Sequence, residues 1–294
     1  MQDANIDPMR PESLASADVQ PSTLWNGWSL EATLPKTRDI DALHDRLAPG
    51  SRVYLSALPR VPYAKQLKQA SQLRAAGFDP VLHMAARKFR SREHLGEYLK
   101  EARGQAGIDK ALVIAGDLNR PKGPYASSLD VISDDIFLGA GLTEIGIAGY
   151  PEGHPLIDNA EIDAELGLKI NALILANMSV EIVTQFSFDA GAIVAWYDRL
   201  RRQGIICPIR IGLAGPASAA TLLNLALRCG VNLPLRQTNK AAQLLRGAST
   251  QEIVASLAAS PEIADSPHTV ALHMYSFGGI ARTAEWASEL AAEG

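Results

Sequence analysis

The chain has 294 residues, 47% of them hydrophobic, 6% aromatic and 20% charged, with a net charge of −4. That is apolar material for one large domain or two ordinary ones. The charges are interspersed, so no basic stripe tracks a nucleic-acid backbone, and no run nears the roughly 20 apolar residues of a membrane span.

Residues 1–24 lack the basic start and apolar centre of a leader, and they are expected to form a disordered segment of a cytoplasmic protein. After them, short runs rich in Val, Ile and Leu recur. They are "WSLEATLP" from Trp28, "RVYLSALP" from Arg52, "PVLHMAAR" from Pro80 and "ALVIAGDL" from Ala111, then "EIGIAGYP" from Glu144, "IVTQFSF" from Ile182, "PIRIGLAG" from Pro208 and "TVALHMYSF" from Thr269. Helix-patterned stretches separate them, with apolar residues near i, i+3, i+4 and i+7. These are "DIDALHDRLA", "YAKQLKQASQLRAAG", "SREHLGEYLKEARGQAG", "IDAELGLKINALILANM", "AGAIVAWYDRLRRQG" and "ASAATLLNLALRCG". Two extra helices, "TNKAAQLLRG" and "STQEIVASLAAS", fill the longer gap before the last strand. Strand then helix, repeated eight times, predicts a single (β/α)8 TIM barrel over residues 25–294. An open doubly wound sheet would carry a Gly-rich turn after its first strand, and "LPKTRDID" is not one.

In such a barrel the chemistry belongs to the carboxyl ends of the strands. Polar residues gather at that end from different strands: Glu31 and Thr33, Ser56, His83, Asp117, Tyr150, Thr184 and Gln185, and finally His273 and Tyr275. Each has an ordinary explanation as well. Strand histidines are often hydrogen-bonded core residues, Ser56 and Thr184 can bond to neighbouring backbone, and Asp117 can cap a helix. Glu31 stands out, because a carboxylate buried in an apolar strand costs several kcal/mol (roughly 2 or more) unless it is paired or protonated. Two carboxylates also suit a glycosidase, but sugar sites display aromatics, and these are scarce here. Glu152 and His154 in "GYPEGHP" are two residues apart with no third ligand in view, and neither Cys207 nor Cys229 has a zinc-type spacing. No metal site is expected.

The segment "GIAGYPEGHP", Gly146 to Pro155, resembles the fifth strand and following loop of the methylenetetrahydrofolate reductase family, flavin enzymes on a (β/α)8 barrel. In the family's order, "LEATLPKT", "VLHMAAR", "AGDL" with "YASSL", and "VTQFSFD" are similar to its other motifs. The resemblance runs from about Trp28 to beyond Tyr275. It implies Glu31 as the acid that assists opening of the folate ring, with burial raising its pKa. Asp117 is implied beside flavin and pterin, and Gln185 as a hydrogen-bonding partner of the pterin or nicotinamide, with Phe188 and Tyr275 also against substrate. FAD is implied on Ser56, His83, Gly116, Asp117, Tyr125, Ala126, Ser127, Tyr150 and His154, with a weaker match at Lys169.

The chain also departs from the family pattern. Ala115 stands where the bacterial reductases commonly have an FAD-binding arginine, leaving Lys122 or Arg120 to supply a cation. "LAGPASAAT" has small residues in place of a substrate-stacking phenylalanine, and Tyr275-Ser276-Phe277-Gly278-Gly279 lacks the usual arginine, although Arg282 follows. The expectation is an FAD-dependent enzyme interconverting 5,10-methylene- and 5-methyltetrahydrofolate. It would either consume the methyl compound with an acceptor other than NAD(P) or take NADH or another electron carrier as its second partner, and a homo-oligomer is compatible with the reading. The alternatives are a flavin-free pterin methyltransferase and a non-catalytic folate-binding subunit.

Overall fold

The computed structural model describes residues 22–155, 157–229, 231 and 248–293. Residues 1–21 of the expected N-terminal segment, and the expected helix over 238–247, lie outside the described residues. A short helix α1 (Ser22–Trp25) comes first, with Leu24 and Trp25 buried in the core. Eight parallel strands then close on themselves in chain order, β1 pairing with both β2 and β8. They are β1 (Ser29–Ala32), β2 (Arg52–Leu55), β3 (Asp79–Ala85), β4 (Lys110–Ile114), β5 (Glu144–Gly149), β6 (Ser179–Thr184), β7 (Ile209–Ala214) and β8 (Val270–Tyr275).

The helices between strands are α2 (Thr37–Asp41), α3 (Tyr63–Ala75), α4 (Arg92–Ala106), α5 (Ser128–Ile132), α6 (Asp135–Leu138), α7 (Asn159–Leu175), α8 (Ala190–Arg202), α9 (Ala219–Cys229), α10 (Ala248–Ala258) and α11 (Pro261–Ala264). α12 (Ile280–Glu293) follows β8. Two stretches differ from the periodic expectation. The "DIDALHDRLA" stretch is helical only to Asp41, after which Leu43, His44 and Arg46 take i→i−3 turn bonds. Between β4 and β5 the helix of the eightfold pattern is divided into two short ones, α5 and α6, each started by a side-chain cap, Ser127 and Asp134.

Alternation along each strand sorts its residues. Leu30, Val53, Leu55, Leu82, Met84, Val113, Ile145, Ile147, Ile182, Ile211, Leu213, Leu272 and Met274 join the large outer core beneath the helices. The opposite face fills the barrel. Its middle is a small apolar layer of Tyr54, Val81, Leu112 and Val183. Below that layer lies a buried ionic cluster. Glu181, 5% exposed, accepts from Arg210 Nε at 2.9 Å, from Arg52 at 2.9 Å and from the Tyr54 hydroxyl, and Arg52 also pairs with Glu144. Above it the interior opens at the strand ends.

Candidate active site

Glu31 stands one residue before the end of β1, at the mouth of the barrel, in register with Tyr54 on one side and Tyr275 on the other. Its Oε1 accepts from the Ser56 hydroxyl at 2.6 Å, and Ser56 also meets Thr33 at 2.8 Å. Its Oε2 lies 3.6 Å from His83 Nε2 and 3.7 Å from His273 Nε2, and none of these three buried atoms has a hydrogen-bond partner. Three orphaned polar atoms facing one another are rare in a finished core and mark a place where a proton or a polar ligand is handled.

Both histidines rest on the Tyr54 ring, edge-on at 4.7 Å from His273 and 6.1 Å from His83. His273 is fully buried, and its Nδ1 is 2.9 Å from Ser29 Oγ, which also accepts from Arg210 at 3.3 Å. Arg210 can only donate, so the Ser29 hydroxyl hydrogen is free to go to Nδ1, which places the His273 ring proton on Nε2, toward Glu31. The ionic cluster at the base thus sets the tautomer at the mouth.

Burial is the largest influence on Glu31 and pushes its pKa up. The attraction of His83 and His273 and the Ser56 hydrogen bond outweigh it, leaving the carboxyl below its ordinary range. The expectation that burial would raise Glu31 is thereby corrected: its neighbours reverse the sign, and the group rests as a carboxylate. Burial holds His83, His94 and His154 below their ordinary value near 6.5. The unfolded chain then binds protons that the folded chain does not as pH falls through 6.5, so folding stability is lost on acidification; Glu31 and Glu181, also lowered, extend the loss below about 4.5, while Glu144, raised by burial and by Glu181, opposes it there. The urea midpoint is expected to fall steadily from pH 7.5 to 5.5, and a flat profile would contradict this assignment.

Other predicted positions divide into two groups. Asp117 is exposed at the mouth after β4, its charge acting on both His83 and Tyr150. Tyr150 and His154 follow β5 with their rings edge-on at 5.3 Å. Gln185 lies just past β6, its backbone N–H on Gly149 O and its Oε1 accepting from the Phe186 N–H at 3.1 Å. Tyr275 donates to Thr184 O at 2.9 Å and stacks on Phe277, while Phe188 packs near Phe186 and Phe277. Gly212 makes room for this wall: a Cβ there would lie 2.4 Å from Thr184 O and 2.7 Å from the Tyr275 ring. The remaining positions serve the scaffold. Tyr125 is buried, with its hydroxyl on Asp134 at 2.7 Å; Ala126 bonds through its backbone to Asp130 and Arg87; Ser127 caps α5; and Lys169 pairs with Glu165 at 2.5 Å.

The model of the family "Methylenetetrahydrofolate reductase" matches residues 63–277. The chain belongs to that family. The matched span begins after Glu31 and Ser56 and carries β3 to β7 and all of β8. Among relatives, it is 30% identical over 145 residues to the 5,10-methylenetetrahydrofolate reductase of Pectobacterium carotovorum subsp. carotovorum, covering 49% of this chain and 46% of that one. It is 23% identical over 278 residues to methylenetetrahydrofolate reductase 2 of Saccharomyces cerevisiae, covering 85% of this chain and 44% of that one. With methylenetetrahydrofolate reductase 1 of Schizosaccharomyces pombe it shares 35% identity over 91 residues, 31% of this chain and 14% of that one. The chain thus spans less than half the length of these relatives.

The mouth of this reductase-family barrel has a donor set that fits a flavin. Gly116 has φ +87, and a Cβ there would meet Ala85 Cβ at 2.7 Å, so the loop after β4 lies directly on the end of β3. Around it stand the Asp117 carboxylate, the Tyr150 and His154 rings, and a cation that sequence reasoning missed. Arg87, on the turn after β3, donates to Ala126 O at 2.7 Å and Leu118 O at 3.1 Å, and its charge acts on His154. It stands near the site where Ala115 offers no charge. Lys122 instead lines a neighbouring cleft with Lys88 and Arg90. Among the described residues no group of three or more His, Cys, Asp or Glu is arranged to hold a metal ion, and no helix is long and apolar enough to cross a membrane.

Proposed function

We propose that this family member is an FAD-dependent oxidoreductase that interconverts 5,10-methylenetetrahydrofolate and 5-methyltetrahydrofolate, and that it works in the methyl-consuming direction with an electron acceptor other than NAD(P). The observation that carries the reading is the buried, unpartnered Oε2 of Glu31 between two histidines at the mouth of a barrel of this family. FAD would be held by Ser56, Gly116, Asp117, Tyr150, His154 and Arg87, and when bound it supplies the two-electron acceptor.

In the oxidative direction the methyl group gives up hydride and becomes an iminium at N5. N10 then closes on that carbon and must lose its proton. Glu31 Oε2, held as a carboxylate, is the base for that proton, and Ser56 fixes the other oxygen, leaving Oε2 without a hydrogen bond between the His83 and His273 rings. In the reducing direction the same atom would have to arrive protonated, which its neighbours oppose. The partly exposed Phe188, Tyr275 and Phe277, backed by the buried Phe186, offer an apolar aromatic wall to a pterin. Residues 275–279 carry no charge to meet the phosphates of a nicotinamide dinucleotide.

Anaerobic mixing of the FAD-loaded protein with 5-methyltetrahydrofolate, and separately with NADH, tests the reading. Bleaching of the flavin is expected with the folate and not with NADH. Rapid bleaching by NADH alone would overturn the assigned direction, and a protein that binds no FAD would overturn the cofactor.

A further inference from the structure

Beside the mouth, between the loop that follows β2 and helix α4, lies a cleft of about 620 Å³ that none of the roles above uses. Four cations line it from three separate segments: Arg60 after β2, Lys88 and Arg90 after β3, and Lys122 after β4. Among the described residues no carboxylate lies within salt-bridge distance of any of the four. Their positions are built in. Lys88 is buried, donates to Leu58 O at 2.7 Å and Val61 O at 2.8 Å, and sits 4.3 Å over the Tyr63 ring. Lys122 N–H donates to Arg87 O at 2.9 Å, and Gly123 lies so close to the Arg90 backbone that a Cβ would fall 2.3 Å from Arg90 O. These contacts hold the Lys122 and Arg90 backbones side by side.

Gathering like charges around one concavity is unfavourable unless an anion offsets them. Burial and the charge of Lys122 push Lys88 down to about 8, in keeping with such a field. The cations come from three separate segments, an arrangement suited to an extended anion rather than a compact one. Glu97 and Glu101, one turn apart on α4, also line the cleft, where they repel anions and offer acceptors to ligand N–H groups. The cleft also shares its loops with the mouth: one runs from Ser56 to Pro62, the other from Asp117 to Lys122.

We propose that this cleft binds a chain of two or more linked oxyanions, the phosphates of a nucleotide or the carboxylates of a γ-glutamyl tail, running outward from the mouth. The γ-glutamyl source rests on the folate reading; the phosphate source does not.

Calorimetric titration of the full chain with tripolyphosphate and, separately, with tri-γ-glutamate tests the proposal and separates the two sources. At least one is expected to bind, and R60E/R90E/K122E to weaken it about tenfold or more. R38E/K68E/R202E, which makes the same charge change on other exposed surface, should alter affinity by less than about threefold, and E97Q/E101Q should tighten it. The proposal is overturned if neither probe binds, if both triple variants lose affinity equally, or if the glutamine variant has no effect on binding. Because binding is read without turnover, failure of the flavin or folate chemistry leaves this result intact.

Discussion

Glu31→Gln is expected to lower steady-state oxidation of 5-methyltetrahydrofolate by roughly 10²–10⁴, the usual contribution of a positioned base, while folate still binds. The glutamine amide can keep the Ser56 hydrogen bond through its oxygen but cannot accept the N10 proton. Since the folded state favours the ionised form of Glu31, removing the charge gives up that contribution and the melting temperature should fall modestly. The pH profile adds a readout that a merely structural role would not move. Oxidation needs the carboxylate, so the wild-type rate should fall on the acid side as Glu31 takes up a proton. His273 pulls that pKa down, so His273→Gln should shift the acid limb to higher pH. A Glu31→Gln rate within a few-fold of wild type, or an acid limb unmoved in His273→Gln, would remove Glu31 from the reaction.

The barrel was legible because its strands are buried on both faces and read as apolar runs between Gly, Pro and Asp. Where the boundaries shifted, charge was the reason. β6 begins at Ser179, whereas the apolar run begins at Ile182, because Glu181 in "SVEIVT" has the look of a loop residue and yet is 5% exposed inside the barrel. Arg52 in "RVYL" and Arg210 in "PIRIGL" lie inside the runs as read, and they too are single charges at inward-facing positions near the strand starts. A search confined to strand ends passes over them. The signal was the recurrence of lone, opposite charges in several strands at similar depth, which one strand at a time cannot show.

At the mouth, the strand residues Glu31, His83 and His273 were visible individually, but their convergence depends on register. The pairing of Ser29 with His273 across the closing seam, residues far apart in the chain, is what brings the last histidine to the first strand. The direction of the Glu31 shift follows the same logic: its apolar strand neighbours are legible in the sequence, and the approach of the two imidazoles to its carboxylate is not. Arg87 escaped notice because "AARK" reads as an exposed turn, whereas two of its guanidinium nitrogens tie down the following loop. Tyr125 shows the reverse. Its motif position suggests a ligand contact, but Phe89 and Asp134 take its ring and hydroxyl.

Glu181→Leu is expected to be the most damaging single substitution in the barrel interior. Removing this carboxylate leaves Arg210 beside no other carboxylate among the described residues and reduces Arg52 to its pair with Glu144. Breaking a buried ion pair from one side costs roughly 3–5 kcal/mol, which in a chain of this size lowers the melting temperature by roughly 6 °C or more. Pairing the change with Arg210→Met should recover part of the loss, because the stranded charge goes with it. The effect should also reach the mouth. Tyr54 loses the acceptor for its hydroxyl, and its ring is the platform on which His83 and His273 sit. The double variant is therefore expected to fold well and still turn over more slowly than wild type, since Ser29 has lost Arg210 and the His273 tautomer is no longer set. Thermal melts and steady-state rates measured on the same preparations separate the two effects. A single variant as stable as wild type would show that the cluster is solvated rather than buried, and a fully active double variant would show that the base of the barrel does not govern the orientation of the histidines above it.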